Sequence, residues 1–185
     1  MISKHSSTTL TDNRTEILTL LRSVKRPGMD ALIDYIENSN FFTVNCYGHH
    51  FTDEGGVAQH SLEVFHFMQK ANFGRFSEDS IILCALTHDL GKCDRAKRDF
   101  RGIRGHDRRS LKVLQQCGIP LSDEERLAVL NHRHVESRIA EAKAHPLYGL
   151  LGAGDCASTG TWKALHPGEI RARKAAKAAR KAARR

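Results

Sequence analysis

Residues 81–92 read IILCALTHDLGK, an apolar run that leads directly into adjacent His88 and Asp89. Ser77 or Asp79 can cap a helix entering this run, and Gly91 is the expected point at which that helix ends. Neighbouring side chains on a helix point about 100° apart, so His88 and Asp89 reach one ion only where it sits beside a helix end. A site there must draw its other ligands from elsewhere in the chain.

Residues of the required types recur in four further islands: His60 in AQHSLEV, His106 in RGHDRRS, His132 in LNHRH and Asp155 in GDCAS. Neutral imidazole combined with carboxylate suits Mn, Fe, Co, Ni or Zn, whereas a Mg or Ca cage is nearly all oxygen; Mg stays admissible at the carboxylates. The five cysteines are odd in number and form no CxxC pair, which argues against a disulfide framework and a zinc ribbon and fits a reducing compartment. His60 and Asp155 would close one site around the His88–Asp89 pair. His106 and His132 could hold a second ion with Asp89 as the bridge, and His134 competes with His132 for that place. Two ions about 3.5–4 Å apart can activate a water and steady both the attacking and the leaving oxygen of a phosphoryl group. Asp89, as ligand and proton acceptor, and Lys92, as a mobile point charge for phosphate, are the catalytic candidates. His5, His66, His145 and His166 match no motif and read as structural or surface residues.

The order H…HD…H…H…D resembles the HD-domain superfamily of metal-dependent phosphohydrolases, with HDLGK similar to its central signature. The segment HHFTDEGGVAQHSLEV, His49–Val64, is similar to the first metal-ligand motif of bacterial HD-type 3′–5′ exoribonucleases and of small phage or bacterial HD proteins. GHDRRS resembles the GHExxS motif of two-metal members, with Asp107 where Glu is usual. The resemblance covers about Leu21 to Thr159. It implies an all-helical fold, with His60, His88, Asp89 and Asp155 on a first metal and His106 and His132 on a second. The superfamily includes nucleotide phosphatases, dNTP triphosphohydrolases, cyclic-nucleotide phosphodiesterases and nucleases, so it implies a reaction more closely than a substrate.

Helical spacing supports the all-α expectation independently. Asn13–Val24, with Asp12 as cap, and Met29–Asn38 each carry an apolar face, and Pro27-Gly28 separates them. Phe41–Glu54 reads as irregular, and Gly55-Gly56 turns the chain into a helix over Val57–Ala71. After a polar loop over Cys93–Arg104, His106–Cys117 is helical. Ser122-x-x-Glu125 makes a capping box for a helix ending near His134, and Pro146 opens one that places Asp155 near its end. No segment alternates with a period of two over strand length.

With 185 residues and 40% hydrophobic content the chain suits one well-cored domain. The expected division is an extension at 1–12, the HD phosphohydrolase domain at 13–165 and a basic tail at 166–185. The first residues lack an apolar signal region and no stretch approaches a membrane span, which points to a cytoplasmic protein. Net charge is +8, yet the eight basic residues of 171–185 account for all of it: the remaining 21 Lys and Arg match 21 Asp and Glu. This tail, ARKAAKAARKAARR, has basic residues at three- to four-residue spacing and no bulky apolar face. It reads as disordered or conditionally helical, with nonspecific nucleic-acid contact as its functional reading and a solubilising appendage as the bland one. The basic stretch between Lys92 and Lys112 is either a solvated face or an anion-binding one. Arg104, Arg108 and Arg109, with His49 and His50, are the secondary substrate-binding candidates. The sequence therefore points to a metal-dependent phosphohydrolase acting on a nucleotide or related small phosphorylated molecule. A nuclease acting on RNA or DNA and an inactive metal-stabilised nucleotide-binding module are the alternatives. Oligomeric state is not encoded in any motif.

Overall fold

The apolar stripes read along the sequence become the buried faces of a helical bundle in the computed structural model. The structure describes residues 7–46, 51, 53–93, 105–133 and 138–165, with Gly168, Arg171, Ala175 and Ala179. Helix α1 (Ser7–Ser23) buries Ile17, Leu18 and Leu21. It starts a turn and a half earlier than Asn13, and Asp12 is exposed within it instead of capping it. No glycine or proline interrupts 7–13, so nothing in the polar segment forces the helix to begin later. Helix α2 (Met29–Asn38) has the expected bounds and buries Met29, Leu32, Ile33 and Ile36.

The connection that follows is irregular but buries Phe41, Val44, Cys46 and Phe51. The Cys46 N–H donates to the Phe51 carbonyl at 2.9 Å, and the Gly55 N–H to the Thr43 carbonyl at 3.1 Å. Gly55, at φ 76°, then turns the backbone into α3 (Gly56–Ala71).

Helix α4 (Glu78–Thr87) is capped by Ser77, whose Oγ accepts the Ser80 N–H at 3.2 Å. Ile81 through Thr87 are all buried, which places this helix in the middle of the core. It stops at Thr87, before the expected end at Gly91, and Leu90–Lys92 form a separate 3-10 turn. Helix α5 (His106–Gln116) follows, then α6 (Asp123–Asn131), where Ser122 and Glu125 complete the capping box. The short α7 (Ile139–Ala144), which the sequence reading did not anticipate, leads into α8 (Pro146–Leu165).

Asp155 lies in the middle of α8 and not near its end, because no proline interrupts the helix before Pro167. Helix α3 packs against α4 and α8, α6 against α5 and α8, and α5 against the 3-10 turn. Four chain segments thus converge around the C-terminal end of α4. The described residues contain no strand, and none of their helices is long and apolar enough to cross a membrane. The expected loop at 94–104, His5, His49, His50, Arg104, His134, His166 and most of the basic tail lie outside the described residues.

Candidate metal centre

The local geometry at the end of α4 decides where the His–Asp pair points. His88 caps the helix, its N–H still donating to the Cys84 carbonyl at 3.1 Å, while Asp89 at φ −106°, ψ 7° has left helical geometry. The departure turns both side chains inward. Ser110 of α5 holds this turn: its Oγ accepts the Gly91 N–H at 2.9 Å and donates to the His88 carbonyl at 2.7 Å. A Cβ on Gly91 would sit 2.0 Å from the His106 carbonyl oxygen, so only glycine lets α5 come this close.

All six ligand candidates come together. Oδ2 of Asp89 faces His60 Nε2 at 3.7 Å and His88 Nε2 at 3.5 Å, whereas Oδ1 faces His106 Nε2 at 3.0 Å and His132 Nε2 at 3.8 Å. His60 Nε2 also lies 3.1 Å from Asp155 Oδ1 and 3.3 Å from His88 Nε2. His106 and His132 bring their Nε2 atoms within 3.2 Å of each other. Among the described residues two donor clusters, His60–His88–Asp155 and His88–Asp89–His132, are compact enough to hold an ion. The four histidines and Asp89 are buried, whereas Asp155 has 19% of its side chain exposed.

Hydrogen bonds behind the rings fix which nitrogen faces inward. His88 Nδ1 donates to the Ala85 carbonyl and His132 Nδ1 to the Val129 carbonyl, each at 2.8 Å. A carbonyl only accepts, so in both neutral rings Nδ1 carries the proton and Nε2 offers its lone pair. Burial holds His88 far below the ordinary imidazole range, at about 3, and lowers His132 in the same way. Burial alone would raise Asp89, but the Lys92 ammonium, then His88 and His106, outweigh it and keep the carboxyl well below the usual range. Asp155 is likewise depressed, burial being overcome by its contact with His60.

Neutral imidazoles and ionised carboxylates are the forms a cation requires. Oδ1 of Asp89 is moreover buried and faced by imidazole nitrogens, His106 Nε2 at 3.0 Å and His132 Nε2 at 3.8 Å, a donor set that a bound ion would complete. The His/Asp cluster fits metal binding.

Lys92 is buried, and its ammonium pairs with Asp89 Oδ2, which sets its positive charge beside the ligand cluster. Burial would lower its pKa, but Asp89 prevails and raises it, which keeps the group charged. Arg109 donates from Nε to the Gly91 carbonyl at 2.9 Å, tying α5 to the 3-10 turn, while Arg108 is exposed. Asp107, at the position where Glu is usual, accepts the Arg108 N–H at 2.9 Å and meets Arg133 at 3.4 Å. The sequence reading named neither Ser110 nor Ser158, which contacts His60 Nδ1 at 3.1 Å. Their signal was spacing: each lies one helical turn beyond a named ligand, Ser110 after His106 and Ser158 after Asp155.

Residues 57–179 match the HD domain family, about two thirds of the chain and every ligand island. The chain belongs to this family. HD domains are in general metal-dependent hydrolases, and the converged His/Asp cluster is what such chemistry needs. No curated protein and no solved structure matches the chain.

Proposed function

We propose that this HD-domain protein hydrolyses a phosphate ester or anhydride of a nucleotide or related small phosphorylated molecule, using one or two divalent transition-metal ions. The observation that carries this reading is the division of Asp89, one oxygen toward His60 and His88 and the other toward His106 and His132. His60, His88, Asp89 Oδ2 and Asp155 would hold a first ion, and Asp89 Oδ1, His106 and His132 a second. Such ions, when bound, lower the pKa of water and neutralise phosphoryl oxygens.

The chain's own residues supply orientation and charge. Asp89 is held in its ionised form, the form a ligand needs, and could also accept a proton from a metal-bound water. Lys92 keeps a fixed positive charge beside the same carboxylate, which favours a phosphoryl group gathering negative charge. Asp155 is the most exposed of the six ligand candidates, with 19% of its side chain accessible.

A nuclease reading draws support from the eight basic residues at 171–185, which would favour polyanion contact. The test is a metal-reconstituted screen of mononucleotides, dNTPs, cyclic nucleotides and short RNA and DNA, with product identification. Turnover of a small nucleotide is the expected result. Cleavage confined to strands would replace this reading with a nuclease, and metal uptake without any turnover would leave a binding module.

A further inference from the structure

We propose that Ser158 and Glu63 are positioning residues that set the tautomer and angle of His60, through a chain of hydrogen bonds running between α3 and α8. The inference rests on the metal-centre reading and adds two residues to it.

The Ser158 hydroxyl donates to Glu63 Oε2 at 2.9 Å and lies 3.1 Å from His60 Nδ1. Because its proton goes to a carboxylate, the lone pair of that oxygen is what His60 meets, so His60 Nδ1 must carry the hydrogen. In the neutral ring, the form a metal ion requires, Nε2 is then left unprotonated, facing Asp155 Oδ1 at 3.1 Å and His88 Nε2 at 3.3 Å. These are acceptors converging on one point, which a single proton cannot satisfy together and a divalent cation can.

The relay is itself held. Glu63 follows His60 by three residues on α3, and its other oxygen accepts Gln59 Nε2 at 3.1 Å. Ser158 follows Asp155 by three residues on α8, so one face of α8 lies against both nitrogens of the His60 ring. Ser158 is 5% exposed and His60 fully buried, and the Phe51 ring packs 5.2 Å from the imidazole.

His88 and His132 are oriented differently, by carbonyls three residues back in their own chain segments. Their Nδ1 bonds form with the local backbone. That of His60 forms only when α8 docks on α3, so the Glu63–Ser158 pair makes the first ligand contingent on helix packing. A carboxylate-backed hydroxyl also raises the basicity of the imidazole it accepts from.

The test uses the full chain in two states. In the metal-free protein, ¹⁵N NMR of the imidazoles should show His60 as the Nδ1–H tautomer, and Ser158→Ala should shift it toward a mixture. In Co²⁺ titrations against a competing chelator, Ser158→Ala and Glu63→Gln should each weaken binding about 10- to 100-fold. Ser158→Thr, which keeps the hydroxyl, should return both readouts close to those of the unsubstituted chain, and it carries the test if Ser158→Ala folds poorly. Unchanged tautomer and unchanged Co²⁺ affinity in Ser158→Ala and Glu63→Gln would overturn the relay. A tautomer that depends on Ser158 in a protein that takes up no metal would support the relay and overturn the metal reading instead.

Discussion

Lys92 Nζ pairs with Oδ2 of Asp89, the oxygen that faces His60 and His88. The ammonium is therefore built into the site as a permanent counter-charge, on a 3-10 turn one step beyond the ligand pair. Both partners are buried, so neither can lose the other cheaply.

Replacing Asp89 with Ala should accordingly do two things at once. It should abolish metal uptake, and it should cost roughly 3–5 kcal/mol of stability because the Lys92 charge is left buried without its partner. The double variant Asp89→Asn/Lys92→Met should recover much of that stability while still binding no metal. Urea unfolding beside elemental analysis separates the two effects. Retained metal in Asp89→Ala would remove Asp89 from the ligand set.

The two faces of Asp89 predict the stoichiometry. His106→Ala and His132→Ala should each lower occupancy from two ions per chain toward one, because both rings face Oδ1. His60→Ala should instead weaken the ion shared with Asp155. A single ion in the unsubstituted protein at saturating metal would return His106 and His132 to other roles.

Gly91→Ala places a Cβ where the His106 carbonyl oxygen lies 2.0 Å away, so α5 has to withdraw. We expect a loss of roughly 1–3 kcal/mol, as for other overpacked sites, together with weaker binding at the His106 side. Ser77→Ala is the control. It removes the α4 cap at a cost of about 1 kcal/mol and should leave metal affinity alone. Equal metal affinity in Gly91→Ala and the unsubstituted chain would mean that α5 and the 3-10 turn can separate without moving His106.

Glu125 gives the pH dependence of stability. Its carboxylate is bonded by both Arg26 terminal nitrogens at 2.6 and 2.8 Å, by Ser80 Oγ at 2.6 Å and by the Ser122 N–H at 2.8 Å. Burial opposes ionisation, but Arg26, Ser80 and the Ser122 amide outweigh it and hold the carboxyl below its ordinary value of 4.5. The unfolded chain therefore takes up this proton first. The stabilisation is complete above the unfolded value and is lost as pH falls through the folded one. Glu125→Gln should lower stability by roughly 1.5–3 kcal/mol near neutral pH and make the acid limb of the urea midpoint shallower. A parallel downward shift at every pH would mean that the pair is not ionised in the native state.

The ligand types and the helical class were legible in the sequence because both are local. His88-Asp89 at the end of an apolar run announces a helix terminus with chemistry on it, and Ser122-x-x-Glu125 caps its helix within four residues. The stopping point of α4 was not legible, since Gly91 looks like a helix stop. Its role is instead to let α5 approach, and that contact lies 15 residues away in the chain, at His106. The same applies to Lys92, whose spacing resembles a phosphate-binding lysine. Whether such a side chain reaches outward or folds back on Asp89 depends on burial, which spacing does not specify. Ser158 and Glu63 carry only the weak signal of lying one helical turn beyond a ligand, a spacing that any serine or glutamate on a helix can have by chance. Only the docking of α8 on α3 brings them to one imidazole. Sequence determined which groups could bind an ion, since ligand chemistry belongs to the side chain. Tertiary structure decided which nitrogen of His60 faces the site and which histidines share each oxygen of Asp89, because those depend on distances between helices far apart in the chain.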